Sequence, residues 1–235
     1  MKIKLIKIKK KNFLNVVFFG RENCKYSKKL IKFLSKKTNL TIIFSKKKKE
    51  KRNFKFLLQK NIDYIFCFRS LFILKKNLLN HVRINSINFH PGTPDYRGIG
   101  CTNFAIINNS KIYGSTAHLM DNKVDKGKII DVTKFKIKKK CDINYLINKT
   151  HLYMFNQAKN IISKLLKDRE IINTLVKKNK KNKWVKKIYT KKNLEDLYQL
   201  KLSTTPIVLE KILRATITEK FKPYYVIRDI KYYVE

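Results

Sequence analysis

The chain has 235 residues, 43% of them apolar, which is enough for one domain, or one with a small appendage, around a sizeable core. It holds nothing near the ~18 uncharged apolar residues of a membrane span, and its N-terminus alternates lysine with apolar residues instead of forming a signal peptide, so a cytoplasmic protein is expected. The formal net charge of +40 suggests a nucleic-acid partner, but the lysines are spread along the whole chain together with an excess of Asn, Ile, Phe and Tyr.

All of those residues have A/T-rich codons, so codon bias is a sufficient source for the charge. The surface field then attracts polyanions weakly and would favour a substrate that carries phosphates. Cys24, Cys67, Cys101 and Cys141 are scattered, with no C-x-x-C spacing. They read as small buried thiols, and no metal site is expected.

Residues 1–12 form a basic lead-in. Residues 15–20 (Asn-Val-Val-Phe-Phe-Gly) are a short apolar run ending in glycine, which predicts a buried strand. Residues 25–37 place Leu30, Ile31, Phe33 and Leu34 at helical spacing, and residues 40–44 predict a second strand. The charge run Lys46–Arg52 follows, then a helical stretch from Phe54 to Lys60. Residues 63–68 predict a third strand, residues 75–81 a helix, and residues 84–89 a fourth strand. Near-continuous apolar strands alternating with helices are the pattern of a parallel sheet covered on both faces. Ligands bind such sheets at the C-terminal ends of the strands, where Asn88 and His90 lie.

Further on, residues 101–109 predict a short helix and 113–120 another strand. Residues 128–135 continue the sheet or pair at its edge. Asp142 is placed to cap a long helix whose apolar stripe runs from Ile143 to Leu166. The stretch Lys177–Lys187 marks a composition shift. Beyond it come a helix over 190–200, a second one starting at Thr205-Pro206, and a hairpin turning near Arg228-Asp229. This reading divides the chain into residues 1–175, a catalytic domain, and 176–235, a small subdomain of helices plus a hairpin.

The chemistry concentrates in the middle. The frame Asn88-Phe89-His90-Pro91-Gly92-Thr93-Pro94-Asp95-Tyr96-Arg97-Gly98 is followed by His118 and by Asp125-Lys126-Gly127. An amide donor, an imidazole and a carboxylate that could orient it are the parts needed to move an acyl group onto an amine. His118 stands between two readings, a satisfied core histidine and a supporting role. Tyr96 and Arg97 either hold a substrate or only shape the loop.

Asn-x-His-Pro, then G-x-T-x-H (Gly114, Thr116, His118), then D-x-G (Asp125, Gly127) resembles the pattern of the folate-dependent formyltransferases, over roughly residues 13–135. The resemblance implies a Rossmann-like, mostly parallel sheet flanked by helices, and 10-formyltetrahydrofolate as formyl donor. The short loop Gly92-Thr93-Pro94-Asp95-Tyr96-Arg97-Gly98-Ile99-Gly100, with Asn103-Phe104-Ala105 after it, is similar to the enzymes that formylate amino sugars on nucleotide carriers. The implied acceptor is the amine of a sugar nucleotide, in particular a dTDP-4-amino-4,6-dideoxyhexose, in polysaccharide biosynthesis.

By the same resemblance Asn88, His90 and Asp125 are catalytic: Asn88 as oxyanion donor, His90 as cation or proton shuttle, Asp125 as its orienting partner. Phe68, Arg69, Ser70, Leu71 and Phe72, with Met120, Asp121 and Val124, are implied to hold the folate, mostly through backbone groups. Tyr96, Arg97 and Asn103 are the expected substrate contacts. The loop from Gly20 to Asn23 is implied to face the substrate, and it lacks the glycine-rich phosphate loop of the ribonucleotide enzymes. A homodimer is in keeping with this subgroup. The alternatives are a methionyl-tRNA acceptor gripped by the basic surface, hydrolysis of the formyl folate, and a binding protein with a dead site.

Overall fold

The computed structural model describes residues 13–46 and 53–234, so the basic lead-in and most of the lysine run after Lys46 lie outside the described residues. Strand β1 (Asn15–Arg21) is followed by α1 (Lys25–Ser35) and β2 (Asn39–Ser45). Residues Lys55–Gln59 make a 3₁₀ turn where a helix is expected. Next come β3 (Tyr64–Phe68), α2 (Lys76–His81), β4 (Asn85–His90), the two-residue β5 (Arg97–Gly98) and α3 (Cys101–Ile107). Strands β6 (Ile112–Leu119) and β7 (Ile129–Lys136) lead to the long α4 (Ile143–Lys167) and α5 (Ile171–Lys178). The remainder is β8 (Ile188–Tyr189), α6 (Lys191–Tyr198), β9 (Gln199–Leu200), α7 (Pro206–Thr216) and the hairpin β10 (Tyr224–Ile227) with β11 (Ile230–Tyr233).

The main sheet has the order β2-β1-β3-β4-β6-β7. β1, β2, β3 and β4 run parallel, and β6 lies antiparallel to β4. This is the Rossmann-like, mostly parallel α/β sheet expected from the alternation of apolar strands and helices. β3 is buried along its whole length, as a strand covered on both faces must be. Its residues alternate between two cores. Tyr64, Phe66 and Phe68 pack with Leu30, Leu34, Ala158 and Ile162, whereas Ile65 and Cys67 pack with Phe19, Leu74 and Leu78. Burying one such phenylalanine contributes about 2–3 kcal/mol.

Local signals account for the helix starts. The Cys24 sulfur caps α1 by accepting from the Ser27 N–H at 3.4 Å. Asp142 caps α4 by accepting from the Tyr145 N–H at 2.7 Å. Thr190 and Asn193 form a reciprocal capping box on α6. At α7 Pro206 opens the helix and Thr205 takes the cap position, but its side chain makes no cap bond among the described residues. The hairpin turns at Arg228 and Asp229, both with positive φ, which matches the twist of a two-residue connection. All four cysteines are buried free thiols. Among the described residues no helix is long and apolar enough to cross a membrane.

The chain groups into two compact units. One holds residues up to His90 with Thr116–Val132 and Met154–Lys183; the other holds Pro91–Ser115, Thr133–Tyr153 and Trp184–Glu235. This grouping draws its lines differently from a cut after residue 175, because two inner segments join the C-terminal residues. The second unit has its own core, in which Phe104 stacks on Tyr189 with ring centroids 3.9 Å apart and Tyr96 packs against Tyr113 and Tyr189.

Candidate active site

In strand β4 alternate residues share a face, so Ser86, Asn88 and His90 point the same way. Antiparallel pairing sets His118 of β6 directly opposite Asn88 and Thr116 opposite His90. The chain then leaves β6, loops, and returns Asp125 to the same place. Two features hold that loop. The Leu119 N–H donates to the Lys128 carbonyl at 2.9 Å. Gly127 lies so close to β6 that a Cβ there would stand 1.7 Å from the Leu119 carbonyl oxygen. Only glycine allows this approach, which is the physical content of D-x-G. Asp125 itself has φ +48, a left-handed conformation that an aspartate tolerates better than most residues.

The result is a buried polar cluster of four side chains. His90 Nδ1 faces Asp125 Oδ2 at 3.3 Å, and His118 Nε2 faces Asp125 Oδ1 at 3.4 Å. His90 and His118 are each 3% exposed and Asp125 6%, so water screens these contacts little. His118 Nδ1 donates to the Leu119 carbonyl at 2.7 Å. In the neutral imidazole this makes Nε2 an acceptor, and the Asn88 amide nitrogen donates to it at 3.1 Å. His118 thereby fixes which way the Asn88 amide points and leaves the second amide N–H for another acceptor. His90 turns its Nδ1 to Asp125, so Nε2 is the ring nitrogen on the side away from that carboxylate. A carboxylate, an oriented imidazole and an oriented amide donor are thus brought together. His118 is the member that the motif reading left open.

The other expected site residues have more varied surroundings. Phe68 is fully buried in the core on the face opposite Asn88, so only its backbone can reach a ligand. Phe72 packs edge-on against Phe19 and Phe54 and also serves the core. Ser70 accepts from the Phe72 N–H, Arg69 reaches Cys24, and Leu71 and Val124 are exposed. Met120 donates its N–H to the Ser86 carbonyl at 2.8 Å. It lines a cavity of about 230 Å³ together with Leu79, Ser86, Asp121 and Asn122. Ser86, missed by motif, has a buried hydroxyl without a hydrogen-bond partner among the described residues.

Tyr96, Arg97 and Asn103 each have polar groups engaged with other parts of the chain. Tyr96 bonds Ser110 through its hydroxyl, and Arg97, 2% exposed, donates to the Val185 carbonyl at 2.8 Å and lies over the Trp184 ring. Asn103 donates to the Ala215 carbonyl at 2.6 Å. These polar groups serve the interior of the second unit, where a buried donor must find a partner. The G-x-P-x-Y-R-G sequence shapes its own loop.

The family model for formyl transferases matches residues 17–165. The chain belongs to the formyl transferase family. Among curated proteins it is 33% identical over 106 residues to the bifunctional polymyxin resistance protein ArnA of Wigglesworthia glossinidia brevipalpis, which is 43% of this chain and 16% of that protein. It is 32% identical over 121 residues to the methionyl-tRNA formyltransferase of Clostridium tetani, which is 51% of this chain and 39% of that protein. The matched stretches thus span less than half the length of these relatives.

Among solved structures, a 4-N formyltransferase from Francisella tularensis superposes with a TM-score of 0.73 at 20% identity, covering 93% of this chain and 96% of that one. An N-formyltransferase from Helicobacter canadensis, solved with folinic acid and dTDP-3-aminofucose, superposes with a TM-score of 0.68 at 18% identity, covering 93% and 86%. The methionyl-tRNA formyltransferase of Clostridium thermocellum gives 0.68 at 16% identity, covering 93% and 90%. At these identities the likeness speaks for the fold.

Proposed function

We propose that this protein transfers a formyl group from 10-formyltetrahydrofolate to the amine of a nucleotide-linked amino sugar, a dTDP-4-amino-4,6-dideoxyhexose in the first instance. The observation that carries the reading is the buried Asn88–His118–Asp125–His90 cluster, in which Asp125 lies 3.3 Å from His90 and 3.4 Å from His118. The sugar amine attacks the formyl carbon, and the carbonyl oxygen becomes an oxyanion. The second N–H of the Asn88 amide donates to that oxygen, and its orientation is set in advance by His118. His90 Nε2 takes the proton that the amine loses and passes it to N10 of the folate as the carbon–N10 bond breaks. Asp125 holds His90 in the tautomer this needs.

In this reading the donor's pterin ring lies beside Met120 and Asp121, where a cavity opens one alternation along β4 from Asn88, although Phe68 to Phe72 do not line that cavity. What supports the amino-sugar acceptor is the short Gly92–Gly100 loop, which is similar to that of the sugar-nucleotide enzymes, together with the likeness to the Helicobacter canadensis N-formyltransferase solved with dTDP-3-aminofucose.

The test is formyl transfer by the purified protein, followed as release of tetrahydrofolate with three additions: the dTDP-amino sugar, charged initiator tRNA, or no acceptor. Release that requires the sugar nucleotide is the expected result. Release only with tRNA would move the acceptor to RNA. Equal release without acceptor would make the protein a hydrolase.

A further inference from the structure

Strand β4 puts Ser86, Asn88 and His90 on one face, and the buried cluster uses only the last two. Ser86 is 8% exposed, and its hydroxyl has no hydrogen-bond partner among the described residues. Its backbone is not free to move toward one. The residue pairs with Ile65 of β3, and its carbonyl accepts from the Met120 N–H at 2.8 Å. A buried hydroxyl left in this state destabilises the free protein. Folded proteins leave few such groups, and each calls for an explanation.

The residue lies on the wall of the cavity of about 230 Å³. Leu79, Val82, Ile84, Leu119 and Met120 give that wall its apolar part. Lys76, Asn80, Asp121 and Asn122 also line it but are exposed, so solvent already serves their polar groups. Ser86 is the buried polar member. An apolar pocket with few inward polar groups is the common form of a site that binds and orients a small ligand. We propose that the Ser86 hydroxyl accepts a hydrogen bond from a ring N–H of the donor's reduced pterin, N5 or N8, and is thereby a specificity-determining residue for the donor. The inference rests on the formyl-transfer reading above and deepens it by giving the ring a side-chain partner.

Strand spacing supports the choice of ring edge. Residues two apart on a strand are about 7 Å apart, so Ser86 stands that far from Asn88. In 10-formyltetrahydrofolate a single methylene joins N10, which carries the formyl group, to the reduced ring. With the formyl oxygen at the Asn88 amide, the ring edge that bears N5 and N8 is the part within reach of Ser86. A serine hydroxyl has lone pairs to accept from such an N–H. The ring takes no part in the bond changes at the formyl carbon. The contact is therefore the same before and during transfer, and it strengthens binding without speeding the chemical step.

The experiment is calorimetric titration of the full chain with tetrahydrofolate and with its 5,8-dideaza analogue, in which carbons replace the two ring nitrogens, comparing wild type with Ser86→Ala. Melting curves and donor kinetics accompany it. Loss of one neutral hydrogen bond weakens binding about 5- to 10-fold. Ser86→Ala is expected to lose tetrahydrofolate affinity by that factor and to bind the dideaza analogue as wild type does, within about twofold. Its KM for 10-formyltetrahydrofolate should rise to the same extent while kcat stays within about twofold. It should also melt about 2–4 °C higher, because the stranded hydroxyl is gone; a hydroxyl with a purely structural role would give a lower melting temperature and an unchanged KM. Unchanged tetrahydrofolate affinity in Ser86→Ala would overturn the proposal, as would an equal loss for both ligands. A wild-type protein that binds neither ligand would instead strike at the formyl-transfer reading, and the proposal would fall with it.

Discussion

Gly127 sits where a side chain has no room. A Cβ at this position would lie 1.7 Å from the Leu119 carbonyl oxygen, 2.7 Å from its carbon and 3.4 Å from His118 Nδ1. Contacts under 3.0 Å do not occur at real Cβ atoms, so in Gly127→Ala the loop must retreat from β6 by more than an ångström. The retreat breaks the 2.9 Å bond from the Leu119 N–H to the Lys128 carbonyl and strains its neighbours. The expected loss is about 2–4 kcal/mol, or about 5–15 °C in Tm for a chain of this size. Asp125 stands two residues away and moves with the loop, off His90. A misplacement of ~1 Å at reacting groups costs on the order of a hundredfold in rate. Urea denaturation and steady-state formyl transfer check both halves, with the activity assay run well below the variant's Tm. An alanine variant with wild-type stability and kcat/KM would refute the argument that this close approach positions Asp125.

Asn88→Ala should lower kcat on the order of a hundred- to a thousandfold with little change in melting temperature, because it removes the oxyanion donor; a loss under tenfold would remove Asn88 from that role. Ser86→Leu should fill part of the cavity next to Met120, raise the melting temperature and raise the KM for the folate donor, measured by initial rates; an unchanged KM would place the donor elsewhere. Tyr64 has a buried hydroxyl without a hydrogen-bond partner among the described residues, and burial pushes its phenol up to about 12. Because the unfolded chain's tyrosine ionises near pH 10, its contribution to stability is complete below about pH 10 and is lost as pH rises from there to about 12. Tyr64→Phe keeps the ring stacked on Phe66 and should gain about 1 kcal/mol at neutral pH. It should also flatten the alkaline decline in urea midpoints, and a destabilised variant would contradict this.

Much of the fold was legible because hydrophobic runs and turn residues act locally. The buried strands ending at Gly20, Phe68 and Phe89, the Asp142 cap and the Arg228-Asp229 turn were all readable from neighbouring residues. Helix α5, hidden beside the lysine-rich stretch, and the two-residue strands β5, β8 and β9 were not, since long-range pairing alone defines them. In the site, the spacing of Asn88, His90 and Asp125 announced the cluster, but not that His118 would lie between amide and carboxylate. That depends on the antiparallel register of β4 and β6. Motif reading offered Tyr96, Arg97 and Asn103 as substrate contacts while leaving Tyr96 and Arg97 open to a role in shaping the loop. Their partners, the hydroxyl of Ser110 and the carbonyls of Val185 and Ala215, come from elsewhere in the chain and were invisible to it.

The central claim is that the buried cluster moves a formyl group onto a sugar amine. The most direct test is to incubate wild type and Asp125→Asn side by side with 10-formyltetrahydrofolate and dTDP-4-amino-4,6-dideoxyhexose, and to weigh the sugar nucleotide by mass spectrometry. The account predicts that wild type adds one formyl group to the sugar nucleotide and that Asp125→Asn, still folded, does so at least a hundredfold more slowly, as loss of the orienting carboxylate implies. Equal product from both proteins, or tetrahydrofolate released by wild type while the sugar nucleotide keeps its mass, would contradict it.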